Sequence, residues 1–169
     1  MNPKKREIKS NDQYFIAIRI RGTVGRNPRI EHTLQLLRLP KKYNATLLEK
    51  RSEVMGMLRK VKDFITWGEI NSETLDAMMK KRGRMEGNKK ISDDFLKEKL
   101  GFKSTQELSD SLLNKKITLK KLWESGLKSV FRLHPPKGGF KKSVKRPFKS
   151  MGELGYRGEA INKLLKKMV

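Results

Sequence analysis

The sequence contains no cysteine and only two histidines among its 169 residues. Without cysteine the chain has no disulfide, no thiolate nucleophile and no thiolate ligand for zinc. The two imidazoles, His32 and His134, lie far apart in the chain, and neither has a second histidine close to it in sequence. These absences exclude most metal chemistry, and we expect no metal ion and no cofactor.

Long hydrophobic runs are missing as well. The chain has no stretch of about 20 apolar residues, and it does not begin with a charged segment followed by an apolar one. The sequence therefore supports neither a membrane span nor a secretion signal. We expect a cytoplasmic protein with no membrane partner and no small-molecule substrate.

Acidic residues are scarce: 18 Asp and Glu stand against 41 Lys and Arg, for a formal net charge of +23. Residues 63–124 are nearly balanced, but no acidic residue occurs between Glu124 and Glu153. Because folding alone does not favour such self-repulsion, an external polyanion is the simplest compensating partner. The cations in the acid-free stretch are Lys128, Arg132, Lys137, Lys141, Lys142, Lys145, Arg146 and Lys149.

The first part of the chain predicts the element order β-α-β-α-β. Residues 14–21 alternate in the period of a half-buried strand with two arginines on its second face. Asn27 is a good N-cap and Pro28 suits the first position of a helix that ends before Pro40. Residues 43–51 and 64–70 predict two further strands around a helix that Ser52 can cap.

The remainder is predicted to be helical and then irregular. Short amphipathic helices fill the middle, residues 129–133 favour another strand, and Ile161 to Met168 have the spacing of a closing helix. Glycines and prolines between the last two elements exclude long regular structure there. We accordingly divide the chain into a basic arm (1–12), a core (13–70), a helical extension (71–127) and a basic Gly/Pro-rich segment with a C-terminal helix (128–169).

The acid-free stretch from Lys128 to Lys149 is the strongest functional signal. Phe131, Phe140 and Phe148 are interleaved with its cations. Lysine and arginine neutralise phosphates, aromatic rings stack on unpaired bases, and glycine allows close approach of the backbone, so this composition favours an RNA surface. The alternative is a flexible solvated tail whose phenylalanines pack back on the core.

A second basic cluster surrounds the loop GTVGRN, at residues 22–27. Its glycines precede a helix N-terminus, a plausible seat for phosphate, and it lacks the spacing of a P-loop or a dinucleotide-binding fingerprint. The alternative is a turn that needs glycine torsions and carries surface arginines. The four arginines of this cluster are Arg19, Arg21, Arg26 and Arg29.

Catalytic signals are weak. Asp93 and Asp94 directly follow Ser92, which suits the negative first turn of a helix better than an acid–base pair. No nucleophile is accompanied by a base, so we expect no catalytic residue and no enzyme. Trp67 and Trp123 are either stacking platforms or core residues, the second being commoner. A free basic RNA chaperone or regulator, and a nuclease using Asp93 or His134, remain the competing hypotheses.

Several ordered segments resemble a known family. They are RGTVGRNPRIEHTLQLLRL, NATLL, MLRKVKDFITWGEI, FRLHPPKGGFKK and GELGYRGEAINKLLKKM, which together cover most of residues 13–169. The sequence is similar to universal large-subunit ribosomal protein thirty in its archaeal form, which is related to ribosomal protein seven of eukaryotic large subunits. The short N-terminal arm differs from the long extension of the eukaryotic relatives and favours an archaeal source.

The resemblance implies an α+β fold related to ferredoxin-like folds, with an antiparallel three-stranded sheet, two helices on one face, and helical and basic-loop additions. It also implies a non-catalytic place in the large ribosomal subunit, with large-subunit rRNA, 5S rRNA and neighbouring ribosomal proteins as partners. Mapped onto this chain, the RNA-binding set is Arg19, Arg21, Arg26, Arg29, Lys41, Lys42, Arg51, Arg132, His134, Lys137, Lys141, Lys142, Lys145, Arg146, Lys149 and Arg157.

Overall fold

The computed structural model describes residues 14–22, 25 and 27–169, without the side chain of Asp93. The predicted β-α-β-α-β order of the first part is confirmed. The strands are β1 (Tyr14–Arg19), β2 (Asn44–Glu49), β3 (Ile65–Glu69), β4 (Val130–Arg132), β5 (Ser143–Pro147) and β6 (Gly152–Tyr156). The helices are α1 (Pro28–Leu36), α2 (Ser52–Lys60), α3 (Ser72–Arg82), α4 (Asp93–Phe95, continuing as a π-helix over Leu96–Leu100), α5 (Thr105–Leu113), α6 (Leu119–Glu124) and α7 (Ile161–Met168).

The sheet is larger than the resemblance implies. The antiparallel core of β1 between β2 and β3 is present, with Ile18 opposite Ala45 on one side and Thr66 on the other. Three later strands extend it to the six-stranded order β4-β2-β1-β3-β6-β5. Strand β4 is antiparallel to β2, whereas β6 is parallel to β3 and β5 is parallel to β6. The result is a mixed sheet in an α+β fold.

Strand β1 is buried on both faces, so the prediction of a half-buried strand was wrong. On one face Phe15 and Ala17 pack with α1 and α2. On the other face Ile16 and Ile18 pack with leucines and methionines of α3, α5, α6 and α7. The middle and C-terminal helices thus cover the surface that an isolated β-α-β-α-β unit would expose to water.

Local capping accounts for most helix starts. The Asn27 side chain accepts a hydrogen bond from the backbone N–H of Arg29 (2.9 Å), as the sequence predicts for α1. Ser104 likewise accepts from Glu107 N–H at the start of α5 (3.2 Å). Ser52 does not cap α2 as predicted, because it is the first helical residue and Arg51 precedes it without a side-chain cap.

The C-terminal helix is held to β3 by polar contacts beside its apolar face. The Asn162 side chain donates to the carbonyl of Glu69 (2.9 Å) and accepts from Asn71 N–H (3.1 Å). Gly68 lies so close to residue 158 that a Cβ there would stand 2.0 Å from the Gly158 carbonyl oxygen. This close approach brings β6 and α7 against the edge of the antiparallel core.

Among the described residues, no helix combines the length and the apolar character needed to cross a membrane.

Candidate nucleic-acid interface

The sheet topology gathers basic segments at one end. Strand β1 ends where β2 and β3 begin, because both are antiparallel to it. Strand β4 ends at this same end, and the parallel pair β5 and β6 begins there. We call this the basic end of the sheet, since the segments that flank these strand termini carry Arg21, Lys41, Lys42, His134, Lys141 and Lys142.

The loop before β2 is joined directly to the basic C-terminal segment. The backbone N–H of Leu133 donates to the carbonyl of Tyr43 (3.1 Å). The ring of Phe140 stacks on that of Tyr43, with centroids 6.5 Å apart and an interplanar angle of 26°. The ammonium of Lys42 lies 4.8 Å from the centroid of the Tyr43 ring. Two segments almost a hundred positions apart in the sequence therefore form one surface.

A cleft of about 710 Å³ opens along the outer edge of β4 at this end. We call it the Trp123 cleft, because Trp123 of α6 forms part of its wall. Among the described residues, Glu86 is the only acidic one in its lining. The five cations that line it are Arg38, Lys41, Lys42, Lys128 and Arg132.

A smaller cleft of about 240 Å³ lies between the basic segment and α7. Phe140 and Phe148 contribute rings to its wall, and Glu153 is the only acid that the described part of the chain places in it. Its exposed cations are Lys141, Lys142, Lys163 and Lys167. Both clefts thus combine aromatic walls with cationic rims.

Arg19 is a structural residue, so its predicted RNA contact is corrected. Its side chain is 0% exposed and forms a two-pronged ion pair with Glu31 (2.9 and 3.1 Å). The guanidinium also donates to the backbone carbonyls of residues 21, 39 and 40, at 2.9 to 3.0 Å. Arg19 therefore ties the loop before β2 to the end of β1, and a guanidinium buried and paired in this way is not available to a phosphate.

Arg157 is corrected for the same reason. It is 9% exposed, and its guanidinium donates to Thr66 Oγ1 (2.9 Å) and to both the carbonyl and the carboxylate of Glu153 (2.8 and 2.5 Å). The guanidinium carbon also lies 4.7 Å from the centroid of the Phe148 ring. A charge buried and paired in this way holds β6 to β3.

The phenylalanines anchor the basic segment, which matches one part of the alternative interpretation. Phe131 is fully buried, Phe140 stacks on Tyr43, and Phe148 is covered by the cations of Lys142 and Arg157. The cations of the segment remain exposed, namely Arg132, Lys137, Lys141, Lys142, Lys145, Arg146 and Lys149, together with His134. Packed rings thus present a row of solvated charges.

The loop GTVGRN is described only in part, and Arg26 lies outside the described residues. Gly25 has a φ of +67°, the left-handed conformation that the turn interpretation requires. Arg29 is exposed in the first turn of α1. Arg21 is half-buried, lies over the ring of Phe64 at 5.3 Å, and donates to the backbone of residue 63.

Arg51 lies away from the basic end. It follows the last residue of β2, at the opposite end of the sheet, and its Nε donates to Glu49 (2.7 Å). In the cleft beside it, burial raises the pKa of Tyr14 above its ordinary value, and the charge of Glu49 adds to that rise. Of the predicted set, Arg51 is the exposed cation that the topology separates from the others.

No group of three or more metal-ligating side chains occurs in the part of the chain that the structure describes. His32 and His134 are both exposed. Asp94 is exposed in the first turn of the helical segment that begins at Asp93, as expected for a negative first turn.

Comparison with known proteins identifies the family. A family model described as Ribosomal protein L30p/L7e matches residues 15–65. The chain is 50% identical over 163 residues to the large ribosomal subunit protein uL30 of Staphylothermus marinus, covering 94% of this chain and 99% of that protein. It is 46% identical to the uL30 proteins of Hyperthermus butylicus and Aeropyrum pernix, covering 98% and 92% of this chain and 96% and 98% of theirs. The chain belongs to the uL30 family of large ribosomal subunit proteins.

The family model spans β1 to β3, the antiparallel core, whereas the similarity to the uL30 proteins extends over the helical and basic additions. The resemblance read from the sequence is thereby confirmed, and these three relatives are archaeal. A member of this family is a structural component of the ribosome.

Four cations that line the two clefts were absent from the predicted set. Lys128 lies in the acid-free stretch and could have been included on that ground. Lys163 and Lys167 are four residues apart on the polar face of α7, a pattern that sequence periodicity can detect. Arg38 has a left-handed backbone (φ +58°) in the loop after α1, and no sequence pattern signals its position.

Proposed function

We propose that this chain is a non-catalytic constituent of the large ribosomal subunit that binds and stabilises large-subunit rRNA through the basic end of its sheet. In this proposal the protein acts in the cytoplasm, on the ribosome. Its other partners are 5S rRNA and neighbouring ribosomal proteins.

The observation that carries the proposal is the convergence of exposed cations at the basic end. The loop before β2 and the acid-free segment meet there through the Tyr43–Phe140 stack. Their ammonium and guanidinium groups have almost no acidic neighbours, since Glu86 and Glu153 are the only described acids that line the two clefts. Such uncompensated charge is favourable beside a phosphate backbone, where binding releases condensed counterions.

The rigidity of the surface supports a structural role. The buried ion pairs of Arg19 and Arg157 fix the two backbone segments that present the cations. A preorganised surface loses little conformational entropy when it binds a folded RNA. A free RNA chaperone with uniform charge has no need of such a surface, and the nearly neutral helical middle also argues against one.

The site is tested by reversing four exposed cations of the acid-free segment. The variant carries Lys141→Glu, Lys142→Glu, Lys145→Glu and Arg146→Glu, and its affinity for large-subunit rRNA is measured over a range of salt concentrations. We expect weaker binding and a log–log salt slope that falls by about one unit for each phosphate that the variant no longer neutralises.

A matched control reverses the same number of charges on the helical middle. Lys97, Lys99, Lys103 and Lys121 are all exposed there. Their reversal changes the net charge equally but leaves the basic end intact, so we expect a much smaller change in affinity and slope. Equal effects of the two quadruple variants would show that only net charge matters and would remove the basic end as the binding surface.

The proximity to 5S rRNA is tested by directed cleavage. A hydroxyl-radical source attached to an exposed position such as Met151, in assembled large subunits, is expected to cut 5S rRNA as well as large-subunit rRNA. Cleavage of large-subunit rRNA alone would show that 5S rRNA is not a neighbour of this surface.

A further inference from the structure

The Trp123 cleft holds an aromatic ring that the fold leaves unused. Trp67, the other tryptophan, is 4% exposed and packs in the core beside β1. Trp123 is only half-buried, and in the described part of the chain its ring has no stacking or cation–π partner. The phenylalanines of the basic segment, by contrast, are all occupied by contacts within the chain.

The indole is accessible from more than one side. Trp123 and Arg38 also line a second cleft of about 220 Å³, which adjoins the first and is bounded by β2 and by the exposed side chain of Leu36. The indole N–H donates no hydrogen bond within the described residues, and it is not among the buried polar atoms that lack a partner. A flat ring with an open face and a solvated N–H is suited to stacking on a planar ligand.

The surroundings of the ring select a ligand that is both planar and anionic. Five cations and one acid line the cleft, and Lys41 and Lys42 flank it from the loop before β2. Its volume of about 710 Å³ lies within the range of small-molecule sites, roughly 300–1,000 Å³. A single-stranded nucleotide meets these conditions, because its base can stack on the indole while adjacent phosphates contact the ammonium groups.

We propose that the Trp123 cleft binds an unpaired segment of RNA, with a base stacked on Trp123 and its flanking phosphates held by Lys41, Lys42, Lys128 and Arg132. This inference rests on the proposed function and extends it, since it assigns single-stranded RNA to one part of the basic end. Duplex RNA cannot use the ring in this way because its bases remain stacked in the helix.

A protein strand is the competing occupant. The outer edge of β4 has no neighbouring strand in the described part of the chain, and an exposed edge can accept an extended peptide. The charge of the cleft favours RNA, since a peptide bound there faces five cations across a short edge strand of three residues. The experiment separates the two occupants.

The test compares single-stranded and duplex RNA. The full-length chain and its Trp123→Leu variant are titrated with a poly(A) dodecamer and with an RNA hairpin that has an equal number of phosphates. We expect quenching of tryptophan fluorescence by the single strand, because Trp67 is shielded and Trp123 reports the stacking. We also expect Trp123→Leu to weaken single-strand binding by about tenfold while changing hairpin binding by less than about twofold.

The conservative variant Trp123→Phe is the matched control and is expected to retain most of the single-strand affinity, because it keeps an aromatic face. Circular dichroism verifies that each variant is folded. Absence of quenching together with equal single-strand affinity of Trp123→Leu overturns the inference, although hairpin binding would leave the proposed function standing. Failure of both RNAs to bind contradicts the proposed function itself. A photo-crosslinker at position 123 in assembled subunits should attach to RNA, and attachment to a protein instead assigns the cleft to a strand-adding partner.

Discussion

Replacement of Arg19 by leucine is the sharpest test of the division between structural and RNA-facing cations. The substitution removes a side chain that is 0% exposed and leaves the carboxylate of Glu31, 25% exposed, without its partner. It also deprives three backbone carbonyls of their donors. Breaking a buried ion pair by removing one partner costs about 3–5 kcal/mol. Because Glu31 retains partial access to water, we expect the lower half of that range, about 3–4 kcal/mol.

The measurement is urea-induced unfolding followed by circular dichroism, with Arg29→Leu as the matched control. Arg29 is exposed in the neighbouring turn, so its replacement should change the free energy of unfolding by less than about 0.5 kcal/mol. Under conditions where the Arg19→Leu variant is folded, its salt slope for RNA binding should equal that of the original chain. A destabilisation below about 1 kcal/mol, or a slope lower by about one unit, would refute the structural assignment and restore Arg19 as a phosphate ligand.

Two further predictions concern the junction between β3 and the C-terminal helix. Gly68→Ala should destabilise the chain by about 1–3 kcal/mol, because the new Cβ would stand 2.0 Å from the Gly158 carbonyl oxygen. The control Gly56→Ala lies in a helix with nothing within 4 Å and should stabilise it by about 0.5–1 kcal/mol, so equal effects in chemical denaturation would contradict the close packing. Asn162→Leu keeps the size of the side chain but leaves the Glu69 carbonyl without its donor. We expect a loss of about 1–3 kcal/mol in thermal unfolding, and an unchanged melting temperature would show that water replaces the amide donor.

Elements specified by local signals were predictable from the sequence. The first helix begins where the Asn27 cap and Pro28 predict, and the closing helix follows the apolar spacing of its residues. The core strands were also found, because β-branched and aromatic residues recur in them with period two. In each of these cases the information lies within about ten residues of the chain.

Elements specified by distant partners were not predictable. Strands β5 and β6 have five residues each in a stretch rich in glycine, proline and lysine, and β6 exists because it pairs with β3, almost ninety positions earlier. The burial of both faces of β1 depends on helices that follow much later in the chain. A single sequence does not reveal which helix will cover which face.

The same limit applies to the candidate interface. Charge density along the sequence located the basic segment, but Arg19 and Arg157 look like the other arginines until their buried acidic partners are known. The convergence of loops at one end of the sheet follows from strand direction, which the sequence alone did not determine for β4 to β6. Trp123 had two open interpretations, and only the cleft around it favours the stacking platform.

Sedimentation of a native lysate tests the central proposal most directly. In a sucrose gradient of cells that contain this chain, the protein should migrate with the large ribosomal subunit and with assembled ribosomes, and high salt should release it as its phosphate contacts weaken. Recovery mainly in the slowly sedimenting fractions at low salt, apart from the large subunit, would contradict the account.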